Sequence, residues 1–170
     1  MAGFIVIKED CINCKACEVT CKIRNEVPIG VRRRQVIEIE EGEFPNVTKK
    51  FVSMACMHCE KPFCEIACPV KAIYKRADGV VLNDKDRCIG CGYCGWACPF
   101  GAPQYPETGD LKGIMDKCTY CVIPFHQKDE AGNPIIRPAE PACGTDCTTG
   151  ALQKQGDGGL MKKVAAARKM

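Results

Sequence analysis

The sequence lacks any apolar run approaching the roughly 20 residues needed to cross a bilayer. It also lacks a secretory signal. The opening segment Met1 to Lys8 carries only Phe4-Ile5-Val6-Ile7 as an apolar core, which is too short for a signal and reads as a first strand. Arg32-Arg33-Arg34 is no twin-arginine signal, because it is internal and is followed by Gln35-Val36-Ile37-Glu38 and not by an apolar run. These absences make the cytoplasm the expected compartment; export alongside a signal-bearing partner would leave no mark on this chain. Strong charge of one sign is missing too, with a formal net charge of only +3 over 170 residues.

What the sequence has is cysteine, sixteen of them in four groups of four. Cys11, Cys14, Cys17 and Cys21 read Cys-x2-Cys-x2-Cys-x3-Cys, and Cys88, Cys91, Cys94 and Cys98 repeat that spacing with Pro99 directly behind. Cys56, Cys59, Cys64 and Cys68, followed by Pro69, widen one gap to four residues. Cys118, Cys121, Cys143 and Cys147 stretch the same gap to twenty-one and keep the x2 and x3 steps. A 4Fe-4S cube needs one soft thiolate at each of four corners, so a tight Cys-x2-Cys-x2-Cys loop supplies three. The x3 step suits a short helical turn that carries the fourth sulfur toward a neighbouring cube. The motifs are therefore expected to exchange ligands.

Rival uses of the cysteines are weaker. Disulfides need an oxidising compartment, and crowded Cys-x-x-Cys pairs are poor material for unstrained bridges. Zinc knuckles use paired cysteines but have no use for the third cysteine of each triplet. A redox-active dithiol needs one exposed pair, not sixteen thiols. Binding sixteen thiolates to four oxidised cores, each carrying about two positive charges, moves the net charge to about −5. Nucleic-acid binding then loses its compositional support, and the arginine triplet is expected to be a solvated loop or a partner contact. Much of the apolar count is cysteine that would face metal, so the clusters are expected to act as the core and the unloaded chain to be largely disordered.

The repeat extends past cysteine, as in a duplicated supersecondary unit. Pro69-Val70-Lys71-Ala72-Ile73, Pro99-Phe100-Gly101-Ala102-Pro103 and Thr148-Thr149-Gly150-Ala151-Leu152 follow three of the motifs in similar fashion. Ile73-Tyr74-Lys75 and Val80-Val81-Leu82 flank Asp78-Gly79, a hairpin signal. Val36 to Glu40 fits an exposed strand before Glu41-Gly42-Glu43. Phe125 to Pro141 is a polar loop inserted in the fourth motif, with His126 in it and no special role expected. Leu160 to Met170 reads either as a frayed tail or as a short basic helix that docks on a partner or on another copy of the chain.

The segments Cys56-Met57-His58-Cys59-Glu60-Lys61-Pro62-Phe63-Cys64, Cys88 to Pro99, Lys117-Cys118-Thr119-Tyr120-Cys121 and Pro141-Ala142-Cys143 carry a resemblance. The chain resembles, from about Cys11 to Leu152, the four-cluster ferredoxin subunits of molybdenum and tungsten pterin oxidoreductases, such as dimethyl sulfoxide, polysulfide and nitrate reductases. The resemblance implies an α+β fold of two nested bacterial-ferredoxin-like lobes, each binding two 4Fe-4S clusters. Residues 1–50 with 112–155 would form the outer lobe, 51–111 the inner lobe, and 156–170 a C-terminal tail or docking helix. It also implies the ligand sets: Cys11, Cys14, Cys17 and Cys147 for a first cluster, and Cys21, Cys118, Cys121 and Cys143 for a second. Cys56, Cys59, Cys64 and Cys98 would hold a third, and Cys68, Cys88, Cys91 and Cys94 a fourth. Lys22 and Thr148 depart from the pattern where a proline follows the fourth cysteine elsewhere.

By this resemblance the chain is an electron-transfer subunit, not itself catalytic, passing single electrons between a tungsten or molybdenum pterin subunit and an external donor or acceptor. Small chains of this kind resemble the partners of tungsten aldehyde oxidoreductases and tungsten benzoyl-CoA reductases, with a flavin or other electron-exchanging subunit as a further partner. The extension that meets a membrane anchor in many relatives is expected to be absent. The alternative is an independent polyferredoxin or a subunit of another redox complex, such as a hydrogenase. Lys15, Lys22 and Arg24 crowd the first motif while Glu60 and Glu65 border the second, which predicts a higher potential for the first cluster than for the third. His58, Tyr93 and Trp96 lie inside cluster loops and are expected to pack against the cubes.

Overall fold

A Cys-x3-Cys step is one turn of helix, and each of the four such steps begins on a helix. In the computed structural model, which describes residues 2–124, 128–133 and 135–155, the longest is α1, Ala16–Asn25. Its buried residues Cys17, Cys21 and Asn25 recur every fourth position and form one inward stripe, leaving Val19 and Ile23 exposed. Glu18 in its first turn and Lys22 and Arg24 in its last suit the helix dipole. The others are single turns: α2, Phe63–Ile66, α3, Tyr93–Ala97, and α4, Ala142–Thr145. The tail 156–170 and His126 lie outside the described residues.

Among the described residues six strands make three two-stranded antiparallel sheets. β1, Phe4–Val6, pairs with β6, Leu152–Lys154, joining the two ends of the cysteine array with Val6 opposite Leu152. β2, Arg34–Glu41, pairs with β3, Thr48–Ala55, over eight residues from Arg34 opposite Ala55 to Glu41 opposite Thr48. β2 contains the strand expected at Val36 to Glu40, whereas its partner β3 carries no expectation from the sequence. β4, Ile73–Lys75, and β5, Val81–Asn83, form the hairpin that Asp78-Gly79 announces.

Helix contacts follow the motifs: α1 packs on α4 and β2, while α2 packs on α3 and β4. Among the described residues no large apolar centre forms. The buried apolar residues divide into four small clusters, three of which contain cysteine: Cys17 with Cys143, Cys94, and Cys56 with Cys118. Cys56 and Cys118, the first cysteines of the second and fourth motifs, share one buried cluster with Ala55. Among the described residues no helix is long and apolar enough to cross a membrane.

Candidate metal centres

All four cysteine loops bend at the same place. The residue before the second cysteine is left-handed in each: Asn13 at φ 57°, His58 at 47°, Gly90 at 68° and Tyr120 at 57°. The first and third loops repeat the bend two residues later, at Lys15 and Gly92. Alternating right- and left-handed residues gather backbone N–H groups on one side, a concavity suited to anionic sulfur. Glycine adopts this conformation freely and asparagine tolerates it, whereas histidine and tyrosine must be held there by their surroundings. His58 and Tyr120 are both buried, with rings edge to face at 5.4 Å. The Tyr120 hydroxyl donates to the Gly3 carbonyl at 2.8 Å, and the His58 Nδ1 accepts the Val81 N–H at 3.0 Å. His58 therefore carries its proton on Nε2 when neutral, and burial with Lys117 nearby pushes its pKa down to about 3.

The sixteen thiols are free, and twelve of them line three hollows in the protein. Cys11, Cys14, Cys17 and Cys147 line one, with about 370 Å³ of atom-free space. Cys56, Cys59, Cys64 and Cys98 line another of about 400 Å³, and Cys68, Cys88, Cys91 and Cys94 a third of about 300 Å³. Cys21 has Cys118, Cys121 and Cys143 as its electrostatic neighbours. Among the described residues no three His, Cys, Asp or Glu side chains converge tightly enough to hold one ion. Thiols spread around a space fit an inorganic group with several metal corners, and the apolar walls, such as Pro62, Phe63 and Val81, fit a group shielded from water.

Donors to sulfur complete the fit. The amides of Ala72, Tyr120 and Leu152 donate to Cys68, Cys118 and Cys147 at 3.2, 3.4 and 3.4 Å. Asn25 Nδ2 reaches Cys121 Sγ at 3.4 Å, and the Tyr105 hydroxyl lies 3.2 Å from Cys94 Sγ. Ser53 Oγ accepts from Arg34 Nη1 at 2.9 Å, which leaves the hydroxyl proton for Cys17 Sγ at 3.4 Å. Arg34 Nε and Nη2 are buried without an oxygen or nitrogen acceptor among the described residues, and the guanidinium lowers the Cys143 thiol by charge and hydrogen bonding. Burial pushes the Cys143 thiol up to about 12 and Cys64 to about 11, and raises Cys21 further. Cys14, near the surface, is lowered by the Ala16 amide and then by Thr148. Buried thiols at such values become thiolates when metal brings positive charge to them.

The arginine triplet corrects one expectation. Arg32 is exposed, but Arg33 and Arg34 are buried, at 3% and 2% exposure. Arg33 grips Asp116 with two hydrogen bonds of 2.7 and 2.8 Å, and Lys85 reaches the same carboxylate at 3.1 Å. Arg34 lies 4.1 Å from the centre of the Phe4 ring and stabilises thiolate at Cys17, Cys118 and Cys143. A second correction concerns the loop aromatics. Only His58 is buried; Tyr93 is 60% and Trp96 92% exposed, so neither packs inward. Sequence reasoning missed Asn25, Ser53, Tyr105, Asp116 and Lys117. One signal was readable: in a strand of period two, Arg34 shares a face with buried Val36.

Comparison with known proteins agrees with this chemistry. Residues 47–157 match the family described as "4Fe-4S dicluster domain", and residues 10–72 match a second family of the same description. The formate dehydrogenase iron-sulfur subunit of Wolinella succinogenes is 46% identical, over 84% of this chain and 74% of that protein. A subunit of the anaerobic dimethyl sulfoxide reductase of Escherichia coli is 40% identical, over 78% and 66%. The thiosulfate reductase electron transfer subunit of Salmonella typhi is 40% identical, over 84% and 69%. The chain thus spans between 66% and 74% of the length of these relatives. With small sheets, short helices and cysteine loops of ferredoxin type, this chain belongs to the 4Fe-4S dicluster domain family, as kin of the iron-sulfur subunits of formate dehydrogenase and anaerobic reductases.

Proposed function

We propose that this chain holds four 4Fe-4S clusters and relays single electrons between a molybdenum or tungsten pterin catalytic subunit and an external donor or acceptor. The observation that carries the reading is the grouping of twelve free thiols around three separate hollows, with the remaining four as mutual neighbours. That grouping supports the allocation of Cys11, Cys14, Cys17 and Cys147 to the first cluster, Cys56, Cys59, Cys64 and Cys98 to the third, and Cys68, Cys88, Cys91 and Cys94 to the fourth. The mutual neighbourhood of Cys21, Cys118, Cys121 and Cys143 supports the second. The pairing of β1 with β6, and the packing of α2 on α3, support an outer lobe of residues 1–50 and 112–155 nested around an inner lobe of 51–111.

When bound, such clusters supply one-electron chemistry at potentials set by charge, hydrogen bonding and exposure. The residues of the chain hold the sulfurs, exclude water with apolar walls and donate hydrogen bonds to thiolates. With a cysteine for every iron, no corner is left for substrate, so the role is electron transfer without catalysis. The names of the relatives, all subunits of oxidoreductases, support a catalytic partner. We also infer a cytoplasmic setting, because sixteen thiols must stay reduced while they take up iron.

Anaerobic co-purification tests the reading. The expected result is a brown protein with about sixteen irons and matching sulfide per chain, bound to a subunit containing molybdenum or tungsten. Four clusters without such a partner would favour an independent polyferredoxin, and a colourless zinc protein would end both.

A further inference from the structure

Among the described lysines near the cysteines, Lys117 alone is fully buried, at 2% exposure. Its ammonium donates to the carbonyls of Val81 and Cys118, the latter at 3.2 Å. No carboxylate pairs with it among the described residues; its neighbour Asp116 is engaged by Arg33 and Lys85. Lys117 lines the hollow of Cys56, Cys59, Cys64 and Cys98, and among the described residues it is the only charged side chain on that wall. The backbone holds it there, since Val81 gives its N–H to His58 and its carbonyl to Lys117.

A buried charge is screened far less than a surface one. Of the residues behind the expected high potential of the first cluster, Lys15 and Arg24 are at the surface, and Lys22 is half-buried with its ammonium donating to the Pro28 carbonyl at 2.9 Å. The Lys15 side chain is 46% exposed and lies 3.7 Å from Glu18, and Arg24 is exposed. Glu60, the acidic neighbour of the third hollow, is exposed as well. Among the described residues the fourth hollow is lined by no charged side chain. Adding an electron to a cluster adds negative charge, which a fixed neighbouring cation stabilises.

We propose that Lys117 sets the reduction potential of the third cluster, held by Cys56, Cys59, Cys64 and Cys98, and lifts it above that of the fourth. The proposal rests on the four-cluster reading. Solvent contact at Cys91, which is exposed, favours the fourth cluster in the same sense, but a buried ammonium on the wall of the third hollow outweighs it. The third cluster is thereby where an electron comes to rest within the inner half of the chain. Lys117 acts on the cluster through its charge and is not a ligand.

The test is an anaerobic redox titration of the full holoprotein followed by EPR, with the third and fourth signals identified as those altered by Cys59→Ser and Cys91→Ser. At the wild-type midpoint of the third cluster, Lys117→Gln is expected to lower its reduced-to-oxidised ratio about tenfold, equivalent to about 59 mV for one electron. The fourth cluster moves less, and Lys117→Arg restores the third. An unchanged third cluster in a fully loaded variant, or an equal shift in all four, overturns the proposal. If Lys117→Gln loses iron, the wild-type order decides: third above fourth supports the assignment, and third below fourth overturns it. Iron and sulfide analysis of the wild type separates this failure from failure of the four-cluster reading, which would appear as far fewer than sixteen irons.

Discussion

The cysteines of the two outer motifs and those of the two inner motifs are set in different materials. Of the eight outer cysteines, Cys17, Cys21, Cys118, Cys121 and Cys143 are buried; of the eight inner ones, only Cys56 and Cys94. The outer set must bring together residues as far apart as Cys11 and Cys147, and it does so with long-range polar contacts: Arg33 to Asp116, Asn25 to Cys121, Thr20 to Asp146 and the β1–β6 ladder. The inner set spans Cys56 to Cys98 and relies on tight backbone turns such as those at Gly90 and Gly92. A ligand shell can thus be closed by side-chain pairing over a long loop or by backbone geometry within a short one. The two should fail differently.

Metal removal gives the largest effect. Because the buried apolar clusters among the described residues are small and three contain cysteine, chelation in air should abolish most secondary structure, read by circular dichroism. Iron should leave the less buried inner half first and the more buried outer half later, as two phases of chelator-bound iron. A single phase, or an apoprotein that keeps its structure, would break the contrast. Next comes Asp116→Ala, which leaves buried Arg33 and Lys85 without their shared carboxylate. Removing one partner of a buried pair costs about 3–5 kcal/mol. Thermal unfolding should drop accordingly, and the EPR signals lost should belong to the outer half.

The same contrast explains what was legible in the sequence. The cysteine grid was readable because each ligand is a rare side chain at fixed spacing, and the β4–β5 hairpin because Asp78-Gly79 announces a turn between apolar runs. Arg33 and Arg34 were not, because a run of three arginines is ordinarily solvated and the burial of Arg33 is decided by a carboxylate 83 residues away. Lys117 was hidden for the same reason: its acceptors are carbonyls, one of them across the chain on β5, and no side-chain pattern records a carbonyl. The left-handed bend shared by the four loops is visible at Gly90 and Asn13 and masked at His58 and Tyr120, whose conformation is imposed by packing.

Gly90→Ala tests the inner device. A Cβ there would meet the Gly113 carbonyl oxygen at 2.6 Å, at a backbone φ of +68°. Local strain of this kind costs about 1–3 kcal/mol, so the variant should melt earlier and release the iron held by Cys88, Cys91 and Cys94 faster, with the outer signals unaltered. Gly92, with nothing within 4 Å of its added Cβ, should suffer only the conformational part. Equal losses at the two positions would mean that the close approach to Gly113 contributes nothing.

Asn25→Ala probes the outer device with the smallest perturbation. Asn25 sits on the inward stripe of α1, 1% exposed, and its Nδ2 group donates to the Cys21 carbonyl at 3.0 Å and to Cys121 Sγ at 3.4 Å. The first bond stays within the helix turn, while the second crosses 96 residues of chain and reaches Cys121, a ligand proposed for the second cluster. Losing each should cost about 0.5–1.5 kcal/mol. A donor to thiolate sulfur also stabilises the reduced state, so the second cluster should become harder to reduce and the inner clusters should not change. Stability loss alone would assign Asn25 to helix packing, whereas a potential shift confined to the second cluster would show that a single side-chain donor tunes the outer half.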